Sequence, residues 1–183
     1  MDRELVSTLL KVALPLVAII AVLASSRARG ISPTEDLRLV WPKPSTTLVW
    51  IVAWIAWVAI GEVATRAFGL AQAQPWIGYS PLVVVLRVAA LGVLGPAAEE
   101  IVMRGLVFFR LSRTRLGPTG AIGLTAAAWA LMHIQYDAKS MLLVFLDGLV
   151  LGLARHRARS TYLPIVLHSL GNLFSIWQSL SSR

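Results

Sequence analysis

Long apolar stretches separated by short polar connections make up nearly the whole chain. Six of them can be delimited, at residues 5–24, 46–65, 81–111, 118–134, 140–154 and 162–180. A helix that crosses a bilayer needs about 20 predominantly apolar residues, and lipid obliges the backbone to satisfy its own hydrogen bonds. We therefore predict an all-α, polytopic transmembrane helix bundle with about six spans, of which the fourth and fifth are short.

Composition supports a membrane protein and removes several classes of function. Hydrophobic residues make up 57% of the 183 positions and charged residues 14%, whereas soluble domains average about a quarter charged. The net charge is +8, but the basic residues form no single patch or stripe, so we expect no nucleic-acid partner. The chain has no cysteine, which excludes disulfides and thiol nucleophiles.

The basic residues at or beyond the ends of the apolar segments indicate a topology. The first, third and fifth connections carry ten lysines and arginines, and the other connections and both termini carry four. By the positive-inside rule, the odd connections are cytoplasmic and both termini lie outside. Asp2 and Glu4 precede the first segment and a poor cleavage site follows it, which favours a retained helix over a signal peptide.

Polar side chains inside the apolar segments are the first candidates for function, because inserting a charge costs at least about 2.5–3.5 kcal/mol. The candidates are Lys11, Glu62, Arg87, Glu99, Glu100, Arg104, His133, Asp147 and His168, with Asn172 as a neutral polar residue. Two of these, Lys11 and Arg87, lie within snorkelling reach of an interface. Glu62 can pair with Arg66 one turn later. These three have structural explanations.

Asp147 lies in the middle of the fifth segment and is harder to place. The glycines at 148 and 152 form a face of small residues that permits tight helix packing. We expect Asp147 to be the structural partner of a buried cation.

The stretch GPAAEEIVMRG, at residues 95–105, places three ionisable groups in an apolar region. Glu100 and Arg104 are four residues apart on a helix, with the acid first, which is the favoured order for an ion pair. Glu99 points about 100° away and has no partner in its own helix. A carboxylate without an ionic partner in apolar surroundings is suited to act as a general base. Gly95 and Pro96 permit a kink just before it.

Two further helices carry polar groups of the kind that a hydrolytic site needs. His133 ends the fourth segment, Trp129 lies one turn before it, and Asp137 lies one turn after it and is expected to orient the imidazole. His168 and Asn172 are four residues apart, so they share a helix face. By the segment limits, His133 lies nearer the outer end of its helix than the other candidates do.

Each of these features has a structural explanation when it is taken alone, since a single intramembrane histidine or Glu–Arg pair usually stabilises helix packing. Together they supply a carboxylate, an imidazole and an imidazole–amide pair from three helices. These groups can activate water on one side of a carbonyl and stabilise an oxyanion on the other.

Three short motifs resemble those of the CPBP intramembrane proteases, the family of the CAAX prenyl endopeptidase, abortive-infection and bacteriocin-processing proteins. EEIVMR matches EExxxR, HSLGN matches HxxxN, and WALMH is similar to a motif in which an aromatic residue, usually phenylalanine, lies four before a histidine. FLDGLVLG is similar to a pattern of the bacterial members, in which two residues separate a phenylalanine from a glycine and three more separate that glycine from a second one. The resemblance covers about residues 86–177, so we divide the chain into N-terminal helices with an interfacial loop at 1–80 and a catalytic core at 81–183.

The resemblance implies an intramembrane endopeptidase. Glu99 and His133 would activate the attacking water, and His168 and Asn172 would hold the oxyanion. Three further side chains would support the site: Glu100, Arg104 and Trp129. The resemblance also raises a metal-dependent alternative, in which Glu99, His133 and His168 would ligate zinc. We favour a metal-free reaction, because the chain lacks HExxH and asparagine is a poor zinc ligand.

The expected substrate is a membrane protein or a lipidated or hydrophobic peptide, and the expected location is a prokaryotic plasma membrane. The oligomeric state is left open. Two other functions remain possible from the sequence. One is a non-catalytic membrane binding or immunity protein with the same fold, and the other is a small transporter that uses Arg87, Glu99 and Asp147 as relay groups.

Overall fold

The computed structural model describes residues 3–69 and 75–181 of the chain. Within these ranges there are six helices and no strand. The helices are α1 (Arg3–Ala28), α2 (Pro44–Ala67), α3 (Pro81–Ser112), α4 (Gly117–Leu131), α5 (Ala138–Ala158) and α6 (Tyr162–Ser181). Each corresponds to one of the six apolar segments, which confirms the prediction of an all-α fold.

The helices differ in their capacity to cross a bilayer. Among the described residues, α1, α2 and α3 are long and apolar enough to do so. Helix α4 has 15 residues, or roughly 22 Å at 1.5 Å per residue, against about 30 Å for the hydrocarbon core. It ends at Leu131, three residues before the predicted limit at 134. A helix of this length that begins at one interface ends before it reaches the other.

Helix starts follow from local sequence. Helices α2 and α3 have proline in the first turn, where its missing N–H has no partner to lose. Ser80 caps α3 by accepting a hydrogen bond from the backbone N–H of Val83. Asp137 caps α5, since its Oδ1 accepts from the backbone N–H groups of Lys139 and Ser140 at 2.9 and 3.1 Å.

Helix α3 departs from α geometry on both sides of the two glutamates. It is π-helical at Ala90–Leu94 and again at Ile101–Val107, with an α-helical stretch at Gly95–Glu100 between them. The irregularity that Gly95 and Pro96 predict takes the form of a π-helical segment immediately before them. Such segments re-aim side chains and backbone carbonyls, and they occur frequently at functional sites.

Helices α4 and α5 pack closely along a face of small residues. A Cβ added to Gly148 would lie 2.9 Å from the Cα of Ala126, and one added to Gly152 would lie 3.1 Å from Ile122. Neither distance leaves room for a side chain without movement of a neighbour. The predicted packing face at the two glycines is therefore present, and it brings α5 against the helix that carries Trp129.

The three most basic connections meet at one end of the bundle. Ser160 Oγ, between α5 and α6, donates to the carbonyl of Val40 at 2.6 Å, and the Thr161 N–H donates to the carbonyl of Arg38 at 2.7 Å. Arg113, between α3 and α4, lies 3.8 Å from Asp36. This shared end agrees with the alternation of charge that the topology prediction uses.

The start of α3 lies at the opposite end, against the start of α1. Arg87 donates to Glu4 at 2.7 Å and to Thr8 at 3.2 Å. It is 9% exposed, and its carboxylate partner lies at the start of α1 and is 52% exposed, so the expectation that Arg87 snorkels to the interface stays a prediction. The backbone N–H of Trp76 donates to the carbonyl of Ser179 at 3.0 Å, so the end of α6 also lies at this end of the bundle.

Two other ionisable residues inside the spans have local partners. Glu62 accepts from Arg66 at 2.8 Å, as the four-residue spacing predicts, and also from Gln178 on α6 at 2.9 Å. Lys11 donates to Ser7, one turn earlier, at 3.0 Å. Neither residue contributes to the site described next.

Candidate functional site

The centre of the site is a buried carboxylate, Glu100, with two nitrogen partners. Its Oε1 lies 2.9 Å from Arg104 Nη1 and 2.9 Å from His168 Nδ1. The side chains of Glu100 and Arg104 have no exposed surface. The ion pair that the spacing predicts is present, and α6 adds a histidine that was not predicted as a partner. The second oxygen, Oε2, is also buried and accepts no hydrogen bond from the described residues.

Arg104 is fixed from several directions. Its Nη2 donates to the carbonyl of Gly148 at 3.2 Å, and a side chain at position 148 would crowd the same nitrogen. Its guanidinium carbon lies 4.8 Å from the centre of the Trp129 ring, within the range of a cation–π contact. Because a buried charge is costly without partners, these contacts hold Arg104 and, through it, Glu100 in one position.

Glu99 faces α4. Its Oε2 accepts a hydrogen bond from Trp129 Nε1 at 2.6 Å. The prediction that Glu99 lacks a partner holds within its own helix only. Phenylalanine, the residue usual at this motif position, has no N–H to donate, so the bond depends on the tryptophan that stands here.

Glu99 and Trp129 lie at similar distances from the basic end of the bundle, because α3 ends and α4 begins at that end. Glu99 lies 13 residues before Ser112, the end of α3, and Trp129 lies 12 residues after Gly117, the start of α4. At 1.5 Å per residue, both are roughly 18–20 Å from the basic end of the bundle. Glu99 and Trp129 therefore lie at a similar depth, which permits the bond between them.

His133 lies in the turn after α4 and is half-buried. Its Nδ1 is 2.9 Å from the backbone oxygen of Trp129, and its ring centre is 5.3 Å from the Trp129 ring. A carbonyl oxygen only accepts, so Nδ1 carries the hydrogen and Nε2 holds a lone pair when the ring is neutral. The nitrogen that can accept a proton is therefore Nε2.

The expectation that Asp137 orients His133 is wrong. Asp137 caps α5 instead, and its Oδ2 accepts from the Ser140 hydroxyl at 2.7 Å. The hydrogen bonds from the Ser140 side chain and backbone lower the pKa of the Asp137 carboxyl. The prediction assumed that the helix continues past His133, whereas the chain leaves helical geometry after Leu131.

His168 completes the buried cluster from α6. Its ring centre is 5.1 Å from that of Trp129, in an edge-on arrangement. Because Nδ1 faces the Glu100 carboxylate, Nδ1 is the donor. Nε2 can then donate to an oxyanion only when the imidazole is protonated.

Asn172 stands apart from the other three candidates. Its Nδ2 donates to the carbonyl of Leu91, in the first π-helical segment of α3, at 2.8 Å. The side-chain amide has two N–H groups, so one hydrogen remains for another acceptor. Asn172 is one helical turn from His168 and on the same face, as predicted, but its bond to Leu91 was not foreseen.

Asp147 has a different partner from the one predicted. Its Oδ1 accepts from Trp57 Nε1 on α2 at 2.6 Å, and no cation forms an ion pair with it in the described part of the chain. The tryptophan of α2 supplies the donor because α5 also packs against α2. Asp147 thus links α5 to α2.

Trp129 is the point where the site comes together. It contacts Glu99 through its indole N–H, His133 through its carbonyl, and His168 and Arg104 through its ring. In the described ranges, no group of three or more histidine, aspartate or glutamate side chains is placed to share a metal ion. Glu99, His133 and His168 have donor atoms of types that zinc accepts, but they do not form a ligand set in this arrangement.

A protein-family model matches part of this chain. The sequence model described as "Rce1-like: Type II CAAX prenyl endopeptidase Rce1-like" matches residues 80–174, which is more than half of the chain. The chain belongs to this family. It is therefore an integral membrane protein and, at the level of the family, a CAAX-type intramembrane protease. Comparisons with curated proteins and with solved structures gave no match.

The matched range and the described geometry can be related directly. It includes α3, α4, α5 and most of α6, together with Glu99, His133, His168 and Asn172. Helices α1 and α2 lie outside the match. They nevertheless contact the family core, since α1 binds Arg87 through Glu4 and α2 binds Asp147 through Trp57.

Proposed function

We propose that the protein is an endopeptidase that hydrolyses a peptide bond of a membrane-associated protein or peptide below the membrane surface. The observation that carries this proposal is the grouping of Glu99, His133 and His168 around Trp129, on three separate parts of the fold. Helix packing alone does not require a carboxylate and two imidazoles around one indole.

The proposed roles follow from which atoms remain free. The Glu99 carboxylate accepts a proton from water, and His133 Nε2, which bears a lone pair, orients that water. The resulting hydroxide adds to the scissile carbonyl carbon. His168, protonated and stabilised by Glu100, donates from Nε2 to the oxyanion, and the second N–H of Asn172 does the same.

The tetrahedral intermediate then breaks down to the products. The carbon–nitrogen bond breaks, the carbonyl re-forms, and the proton held by Glu99 passes to the leaving nitrogen. The products are an amine and a carboxylic acid, which loses its proton to water. Arg104 and Glu100 hold His168 in place and do not exchange protons with the substrate. No step of this proposal uses a metal, and the metal-free reaction stays a prediction.

The proposed location is a prokaryotic plasma membrane, with the connections before α2, before α4 and before α6 in the cytoplasm and both termini outside. The clustering of Arg38, Arg113 and Arg159 at one end supports a common side for these three connections. We propose that the substrate is a hydrophobic or lipidated chain, since only such a chain reaches a site at this depth.

Comparative proteomics of membranes tests the proposal. Cells that carry the wild type, Glu99→Gln or Glu62→Gln are compared for membrane proteins that keep an uncut terminus. Glu62 is the matched control, because it is a glutamate on a neighbouring helix whose partners are Arg66 and Gln178. We expect uncut substrate with Glu99→Gln only. Identical proteomes for all three would contradict the proposal, and would favour a non-catalytic binding role or transport.

A further inference from the structure

A cavity of about 470 Å³ opens at the basic end of the bundle, away from Glu99. Its wall comes from the connection before α2, the end of α3, the start of α4 and the end of α5. Four arginines line it: Arg38, Arg113, Arg155 and Arg159. Only two carboxylates, Glu35 and Asp36, line it as well, so four cations face two anions and the cavity has an excess of two positive charges.

Three of the four arginines have no acidic partner among the residues that the structure describes. Asp36 lies 3.8 Å from Arg113 and so offsets part of its charge. No ion pair joins Arg38, Arg155 or Arg159 to a carboxylate within residues 3–69 and 75–181. The uncompensated charge is therefore concentrated on these three side chains.

Arg155 is the most enclosed of them. It is 5% exposed, its Nε donates to the carbonyl of Arg104 at 2.9 Å, and its guanidinium carbon lies 5.0 Å from the ring centre of Phe108. It follows the last residue of the fifth apolar segment. Arg38 and Arg159 lie close enough to Arg155 for their positive charges to repel it.

Two of the arginines that line the cavity have an unusual backbone conformation. Arg38 has φ 55° and Arg159 has φ 52°, and no other described residue except glycine has a positive φ. Side chains other than glycine, asparagine and aspartate rarely adopt this region. The bond from the Thr161 N–H to the Arg38 carbonyl joins the two connections. At Arg159 this conformation ends α5, as a left-handed residue commonly does after a helix. Arg38 ends no helix, and strained backbone that the surroundings maintain is frequent at ligand sites.

We propose that this cavity binds a phosphate group, with Arg38, Arg155 and Arg159 as its ligands. Guanidinium groups match phosphate in geometry and bind it with two parallel hydrogen bonds. Free phosphate and the head group of an anionic phospholipid share this chemistry. The position of the cavity favours the lipid. The positive-inside rule places the basic connections at the cytoplasmic membrane surface, where anionic head groups lie, and Phe108 and Phe109 add apolar surface to the cavity wall.

A topology role alone does not account for these arginines. The positive-inside rule requires basic residues on one side but does not require them to converge on one cavity or one of them to be buried. Arg157 shows the difference. It lies between Arg155 and Arg159 in the chain and is exposed like Arg159, yet it does not line the cavity.

The test uses the full chain in a neutral detergent. Phosphatidylglycerol, phosphatidylcholine or inorganic phosphate is titrated, and the midpoint of thermal unfolding and the number of lipids retained in native mass spectrometry are recorded. The double variant Arg38→Asn, Arg159→Asn removes two charges and keeps residues that tolerate positive φ. Arg157→Asn is the matched control.

We expect phosphatidylglycerol, but not phosphatidylcholine, to raise the midpoint, with inorganic phosphate competing for the same site. The double variant should bind at least about 10-fold more weakly, and Arg157→Asn should bind as the wild type does. Stabilisation by inorganic phosphate without phosphatidylglycerol would keep the site and assign it to a soluble phosphate. Equal binding by all variants, or an equal loss with Arg157→Asn, would overturn the proposal.

Discussion

Helix α3 carries two arginine–glutamate pairs that share their chemistry and differ in their surroundings. At its start, Arg87 Nη2 lies 2.7 Å from Glu4 Oε2, and the Glu4 side chain is 52% exposed. In its middle, Arg104 Nη1 lies 2.9 Å from Glu100 Oε1, and both side chains are fully buried. The first pair joins two helices, and the second pair also binds His168.

The difference separates anchoring from function. A partly exposed pair is screened and contributes about 0–1 kcal/mol to stability. A fully buried pair loses the hydration of both ions, and a hydrophobic replacement of the same size is often as stable. Stability alone therefore does not explain why Glu100 and Arg104 lie in the core. Their role in holding His168 in position explains it.

The largest expected effect comes from breaking each pair in the same way. Glu100→Gln should reduce the free energy of unfolding by about 3–5 kcal/mol, because it leaves a buried cation unpaired. Glu4→Gln should cost about 0–1 kcal/mol. Unfolding followed by circular dichroism in mixed detergent measures both. Equal losses would remove the distinction between the two regions.

The next effect concerns the amide in α6. Asn172→Ala should lower the cleavage rate by about 10²–10³, as the loss of one oxyanion donor does in other proteases. The matched control is Gln178→Ala, which removes another side-chain amide from the same helix. Steady-state cleavage by purified protein measures both. An unchanged rate with Asn172→Ala would limit Asn172 to its structural bond with Leu91.

A smaller effect should separate two tryptophans that make the same bond. Trp129 and Trp57 each donate from Nε1 to a carboxylate at 2.6 Å, on Glu99 and Asp147 respectively. Trp129→Phe should lower kcat about 10-fold, because Glu99 loses the donor that holds its carboxylate in place. Trp57→Phe should leave kcat unchanged. If the two variants behave alike, Trp129 is a packing residue.

The smallest effect expected is none. Treatment with a chelator should leave the cleavage rate unchanged, since the proposed roles of Glu99 and His133 need no metal. The measurement is the rate after EDTA, with zinc added back in a parallel sample. Loss of activity that zinc restores would contradict the metal-free reaction and support zinc binding at the same residues.

The helices and the contacts within them could be predicted from the sequence. Apolar length and the lipid environment predict all six helices, and the spacing of Glu100 and Arg104 predicts their bond. The small-residue face at Gly148 and Gly152 was also predictable. These features depend on residues that are close in the chain or on a periodicity that one helix displays by itself.

Contacts between helices could not be predicted in this way. The bonds from Trp129 to Glu99, from His168 to Glu100 and from Asn172 depend on how each helix is rotated and how deep it lies. Neither quantity is encoded in a single segment. The one misplaced local contact, between His133 and Asp137, failed because α4 ends at Leu131 and the assumed helical spacing no longer applies.

Cleavage by protein reconstituted in liposomes, with the substrate that proteomics identifies, tests the central claim most directly. Wild type, Glu99→Gln and Glu62→Gln are compared at matched amounts of folded protein. We predict that Glu99→Gln loses at least about 10³ in rate, a loss within the span of catalytic effects, and that Glu62→Gln retains full activity. Full activity of Glu99→Gln would contradict the claim that the group of side chains around Trp129 performs the hydrolysis.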